Sequence, residues 1–210
     1  MTTPRSSSPP RRAARVAHVH APAPSGELRD GFKFRGGRLA LDLTASLAGR
    51  KRETPADLLR EPPDLARWLA AAGLGPVAPA PTAEDLIGAR ELREAIYRLV
   101  TGKVHRRPLA IADRSVVNSW AALPAPAPQL TADGRRAWIG ADPRTLLAAV
   151  ARDAVDVIGG EVAHRLRACS GDGCAIVFLD TSRAGQRRWC SMLGCGNRAK
   201  VREFRERTSR

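Results

Sequence analysis

Four cysteines hold most of the chemistry available to this 210-residue chain, and all of them fall in its last quarter. Cys169 and Cys174 form one C-x4-C pair and Cys190 and Cys195 a second, with fifteen residues between the pairs. Thiolates at this spacing suit a tetrahedral Zn²⁺ ion, because each pair can grip the metal from one tight turn while the insert folds back to join them. Four sulfur ligands leave no open coordination position, so the expected metal is structural and not hydrolytic. The same residues could pair as disulfides in an oxidising compartment. The N-terminus carries no apolar secretory segment, however, so reduced thiols on zinc are the expectation. His164 lies five residues before Cys169; with four thiols at hand it is redundant as a ligand and reads as a surface or interdomain histidine.

The elements that must position these thiols can be read around them. Residues 174–179 (CAIVFL) are an apolar, branched run, 180–185 (DTSRAG) is turn chemistry, and 186–190 (QRRWC) returns, which predicts a β-hairpin between the two pairs. After Cys195 the sequence GNRAKVREFRERTSR favours a helix. At 100° per residue Asn197, Val201, Phe204 and Thr208 share one side of it, with Arg198, Arg202 and Arg205 along one flank, Lys200 and Arg207 along the other, and Glu203 and Glu206 pointing away. Val201 and Phe204 are expected to pack on the hairpin. Cysteine pair, hairpin, then a second pair leading into a helix is the order of a treble-clef zinc finger. Its apolar residues make a thin core, so zinc has to supply on the order of 10 kcal/mol of folding free energy.

The run RRWCSMLGCGNRAKVREF at residues 187–204, together with FLDTSR at 178–183 and the first cysteine pair, resembles the CGNR zinc finger. That module is found at the C-terminus of bacterial proteins regarded as stress-induced transcription regulators. The resemblance covers about the last 45 residues and implies contact with DNA. Candidate contacts are Arg183 on the hairpin tip, Arg187 and Arg188 on the return strand, and Arg198, Lys200, Arg202 and Arg205 on the helix. Arg187, Arg188 and Arg198 have a second candidate role, offsetting the formal −2 charge of a zinc tetrathiolate. On the helix Asn197 is the one amide placed to read a base edge, or to bond the start of its helix.

Charge agrees with an anionic partner. The chain carries a formal +14, and residues 165–210 hold eleven Lys/Arg against four acids, which is half of that excess. No apolar stretch approaches the ~18 residues that a membrane span requires.

The rest of the chain reads as a helical body. Residues 1–25 are Pro, Ser, Ala and Arg of low complexity, expected to be disordered, and the His18/His20 pair in them has no carboxylate nearby to complete a metal site. Gly36-Gly37 between 32–34 and 39–43 predicts a hairpin, leaving Asp42 on a solvated face or as a buried anchor. Helices are predicted from Pro63 to Ala72, from the capping box at Thr82 and Asp85 to about Val100, over 113–122, and from Pro143 to Ile158 behind an Asp142 cap. A short strand pair is expected around Asp133-Gly134, a hinge at Gly159-Gly160, and a short helix over 161–168. GGRLALDL at 36–43, DLARWLAAAGL at 64–74 and ARELREAIYRLV at 89–100 resemble the ABATE domain, the module usually coupled to the CGNR finger. An Asn-Thr pair expected after the aspartate is replaced here by Ala45-Ser46. The resemblance implies a mostly helical, ligand-sensing domain with a small β-element.

The expected organisation is therefore a basic arm (1–25), a mainly α domain with a small β-hairpin element (26–160) and a treble-clef-like zinc finger (161–210). No phosphate-binding loop, dinucleotide turn, H-E-x-x-H or nucleophile elbow occurs, so no enzyme is expected. The functional expectation is a cytoplasmic bacterial regulator that binds DNA through a structural zinc finger and receives a small-molecule or stress signal. A homodimer would compensate for the weak grip of one finger. The competing expectation is a protein-interaction or RNA-binding adaptor.

Overall fold

A computed structural model describes residues 27–134, 136–139 and 141–208. The arm at 1–25, with the disorder expected there and the His18/His20 pair, lies outside the described residues. Strand β1 (Leu28–Arg29) turns through Asp30 and Gly31 and returns as β2 (Phe32–Lys33). Residues 39–43, expected as a strand beyond a Gly36-Gly37 turn, instead form helix α1 (Leu39–Thr44). Periodicity alone does not separate strand from helix in so short an apolar run, and the deciding partner is distant in sequence. Asp153 accepts from the Ala40 amide at 2.9 Å and from Arg38 Nε at 2.6 Å, which answers one of the donors that a first helical turn leaves open. Asp42 is a buried anchor: it accepts from the Gly36 amide at 2.7 Å. Burial raises its carboxyl to about 7 against the pull of that hydrogen bond.

A second two-residue pair, β3 (Leu47–Ala48) with β4 (Ala56–Asp57), leads into the helices. Helix α2 (Pro62–Ala71) starts at a Glu61/Asp64 capping box, and α3 (Ala83–Val104) at the expected Thr82/Asp85 box, running four residues past its expected end. Helix α4 (Ile111–Ala122) is tied to α3 by Arg98, whose guanidinium donates to both oxygens of Asp113. Strands β5 (Ala127–Leu130) and β6 (Arg136–Ile139) pair as expected, and α5 (Pro143–Gly159) begins at Asp142, which accepts from the Thr145 amide. Apolar faces of α1, α2, α3 and α5 close around Trp68, Leu92, Ile96, Leu146 and Leu147, all fully buried. Trp68 stacks on Phe34 with ring centroids 6.1 Å apart.

Beyond α5 the chain makes a single 3-10 segment, Glu161–Arg165, and then strand β7 (Leu166–Ala168), where a short helix over 161–168 was expected. Strand β8 (Val177–Leu179) pairs antiparallel with β7, Ala168 opposite Val177 and Leu166 opposite Leu179. The hairpin of the finger therefore straddles the first cysteine pair, whereas the sequence placed it between the two pairs, with 186–190 as the return strand. Residues 186–189 form no strand. A π-helical turn, Met192–Gly196, feeds the last helix, α6 (Asn197–Thr208). The architecture is thus mainly helical, with small antiparallel strand pairs and a treble-clef-like finger at the C-terminus. No helix among the described residues is long and apolar enough to cross a membrane.

Alternation along β7 and β8 joins the finger to the body. Leu166, Val177 and Leu179 are buried in the same apolar cluster as the helices, while Phe178, between the last two, faces the cysteines. The Leu179 amide also donates to Gly36 O at 2.8 Å. Val201 and Phe204 behave otherwise than expected: they are 48 % and 64 % exposed, and α6 buries none of its residues.

Candidate metal centre

The first knuckle is built by the strand pair. The Cys169 amide, directly after β7, donates to Ile176 O at 2.9 Å, and the Cys174 amide closes the loop onto Gly171 O at 3.0 Å. Gly171 has no room for a side chain, because a Cβ there would lie 2.9 Å from Cys195 Sγ and 3.4 Å from Cys169 Sγ. The second knuckle approaches from the return segment, where the Ser170 amide donates to Arg188 O at 2.8 Å. It is shaped by Ser191, whose hydroxyl accepts from the Gly194 amide at 2.9 Å and donates to the Glu27 carboxylate.

These two turns bring all four Sγ atoms within 4.8 Å of one another, with Cys190 Sγ 3.9 Å from Cys174 Sγ and 3.8 Å from Cys195 Sγ. Zn–S bonds of about 2.3 Å in a tetrahedron place sulfurs about 3.8 Å apart, so the donor set fits zinc. All four cysteines are free. The surroundings supply donors suited to thiolates: the Gly171 and Cys190 amides reach Cys169 Sγ at 3.4 and 3.3 Å, and Arg198 Nη2 reaches Cys195 Sγ at 3.0 Å. As bare thiols the four oppose one another. Hydrogen bonds from Cys174 and Cys190 draw Cys169 down, the same crowding drives Cys190 up, and burial, with the charges of Cys174 and Cys169, pushes Cys195 up to about 11. A divalent cation among them lets all four ionise together. Cys169, Cys174, Cys190 and Cys195 would hold structural zinc, and its chemistry there is to crosslink the two knuckles.

The arginines singled out from sequence divide by environment. Arg187 is engaged internally: its guanidinium donates to Trp189 O and Cys190 O and lies 4.4 Å from the centre of the Phe178 ring. Arg188 is exposed, 5.0 Å over the Trp189 ring. Arg183 is exposed on the 182–185 turn. On α6 Asn197, Arg198, Lys200, Arg202 and Arg205 are all exposed; Arg198 also bonds Cys195 Sγ, and Arg202 lies 3.4 Å from Asp172 and 3.8 Å from Glu206. His164 is exposed, and its Nδ1 lies 2.7 Å from Glu161 O; it takes no place among the sulfurs.

Two structural residues went unnoticed in the sequence. Asp180, fully buried, accepts from the Ser182 hydroxyl at 2.6 Å and from the Ser182 and Arg187 amides. Those bonds hold its carboxyl down at about 2. The signal was present, since Asp followed two residues on by Ser is an Asx-turn pattern. Glu27 had no such signal, because its partner Ser191 lies at the other end of the chain.

Comparison with known families gives two matches. A family model named ABATE, with the description "Putative stress-induced transcription regulator", matches residues 37–161, more than half of the chain. A model of the CGNR zinc finger matches residues 165–208 and takes in all four cysteines. Neither is a family of enzymes. A search of curated proteins gave no match.

Proposed function

Because the chain belongs to the ABATE family and ends in a CGNR zinc finger, whose family descriptions support a regulatory, nucleic-acid-related role, we propose that it is a DNA-binding transcription regulator. In this reading the zinc finger contacts the phosphate backbone and the helical body receives a small-molecule or stress signal in the cytoplasm. The observation that carries it is the state of α6. This helix holds five Lys/Arg against two Glu, buries nothing, and packs chiefly on the turn before it, with Arg202 reaching Asp172 of the first knuckle at 3.4 Å. Arg198 and Arg202 spend part of that charge inside the finger, and an anionic partner gives the exposed remainder a use. Arg198, Lys200 and Arg205 present cations beside Val201 and Phe204, with Arg188 and Arg183 extending the surface along the return segment. Arg187 is occupied within the finger and is left out of the contact set.

The test is duplex binding by fluorescence anisotropy across a salt series. Five neutralised phosphates give a slope of log K against log salt near −4.5, at roughly −0.9 per contact. Replacing Lys200 and Arg205 together by alanine should make that slope about 2 units shallower. Affinity flat in salt overturns the reading.

The exposed Leu193, Met192, Val201 and Phe204 favour one competing reading, an adaptor that docks on an acidic protein through an apolar strip with a basic rim. Competition at physiological salt among duplex DNA, RNA and an acidic protein separates these. A dimer would place two such helices on one duplex.

A further inference from the structure

Between the β3–β4 hairpin and the first zinc knuckle lies a cleft of about 250 Å³ whose walls come from both halves of the chain. Lys33, Arg35, Arg50 and Arg52 line it from the body and Arg198 from the finger, against a single carboxylate, Asp172. Part of this charge has an internal answer. Arg50 is bidentate on Glu94 and lies 4.0 Å over the Tyr97 ring, and Arg198 bonds Cys195 Sγ. Asp172 is 3.4 Å from Arg202.

What remains on the lining is Lys33 and Arg52, with Arg35 beside Glu27. Lys33 and Arg52 have no carboxylate partner among the described residues. Arg35 Nε is buried without a hydrogen-bond acceptor, the Glu27 carboxylate lying 3.3 Å away outside hydrogen-bonding geometry. Its guanidinium is pressed against the π-helical turn, where a Cβ at Gly194 would lie 2.5 Å from Arg35 Nη1. Arg35 makes no hydrogen bond to an acceptor among the described residues, so the guanidinium that lines the cleft keeps donors for an anion.

We propose that this cleft is a binding site for a phosphate-type oxyanion, held by Lys33, Arg35 and Arg52 on the body side and reaching Arg198 on the finger side. Multiply charged oxygens match convergent ammonium and guanidinium donors, and the volume suits a phosphate with a small organic remainder. A ligand there touches the hairpin of the helical body and the first turn of α6 at once, so its presence is transmitted to the helix proposed to meet DNA. The consequence rests on the proposed function; the site itself does not. A backbone phosphate of bound nucleic acid would satisfy the same groups.

The experiment uses the zinc-loaded full-length protein and inorganic pyrophosphate at constant ionic strength, followed by calorimetry, with zinc content measured before and after. The expected result is saturable 1:1 binding that weakens at least tenfold in K33A/R52A, two accessible side chains outside the core. A second arm adds a DNA duplex. If pyrophosphate displaces the duplex and K33A/R52A also lowers duplex affinity, the site takes a backbone phosphate. If the two bind together and the variant leaves duplex affinity unchanged, it takes a small ligand. Absence of saturable binding with unchanged duplex affinity in the variant, or equal pyrophosphate affinity in variant and wild type, overturns the proposal. The calorimetric arm contains no nucleic acid, so failure of the finger to bind DNA leaves its result readable.

Discussion

Trp68 and Phe204 are both aromatic residues on helices of the same chain, and their circumstances differ completely. Trp68 is fully buried among apolar side chains of the body, whereas Phe204 is 64 % exposed on a helix that buries nothing. The body closes on leucine, isoleucine and valine from several helices, so burial of apolar surface holds it. Around its four cysteines the finger packs Phe178, with Ile176 and Trp189 partly buried. The difference teaches how each part is stabilised: removing any one side chain weakens the body, while removing the metal dissolves the distal finger. Charge differs too: Arg38, Arg50, Arg93 and Arg98 of the body are tied to carboxylates, whereas every cation of α6 is on an exposed side chain.

The largest expected effect breaks the finger and spares the body. Cys190→Ser should abolish stoichiometric zinc and with it a contribution on the order of 10 kcal/mol. Hydrogen exchange should then show residues 186–208 unprotected, while α3 and the β7–β8 ladder, which sits in the body's core, stay protected; loss of protection across α3 would mean that the two regions are not stabilised separately. Next in size is Trp68→Ala, expected to cost about 3–5 kcal/mol in denaturant unfolding with zinc content unchanged. A smaller effect sharpens the contrast through pH. With the Asp42 carboxyl raised to about 7, the folded state keeps a proton that the unfolded state releases near 4. Stability from this group is therefore present at low pH and lost as pH rises toward 7, by up to a few kcal/mol. Asp42→Asn retains an acceptor for the Gly36 amide and should gain on the wild type as pH rises from 5.5 to 8; a constant difference between the two would mean that Asp42 does not titrate there. The smallest expected effect is that of Phe204→Ala, within about 0.5 kcal/mol by thermal unfolding. A loss of several kcal/mol would show that something covers α6 in solution.

Local signals were the legible ones. Capping boxes at Thr82/Asp85 and the Asp142 cap marked helix starts because each is complete within four residues. Cysteine spacing likewise gave the zinc site without knowledge of the fold. The misread elements depend on partners far along the chain. Residues 39–43 became a helix because Asp153 binds its first turn, and Val177–Leu179 paired with Leu166–Ala168 because that register sends two apolar side chains into the body and Phe178 toward the sulfurs. Val201 and Phe204 have the spacing of a buried stripe, yet spacing says only that residues share a face and not that anything lies against it. The basic cleft was illegible for the same reason, since Lys33, Arg52 and Arg198 share no local pattern and meet only once the finger is packed on the body.

Zinc K-edge X-ray absorption on the purified full-length protein tests the four-thiolate centre most directly. Four sulfur neighbours at about 2.3 Å, with no lighter scatterer in the inner shell, are expected. A shell containing nitrogen or oxygen, or fewer than four sulfurs, would contradict it.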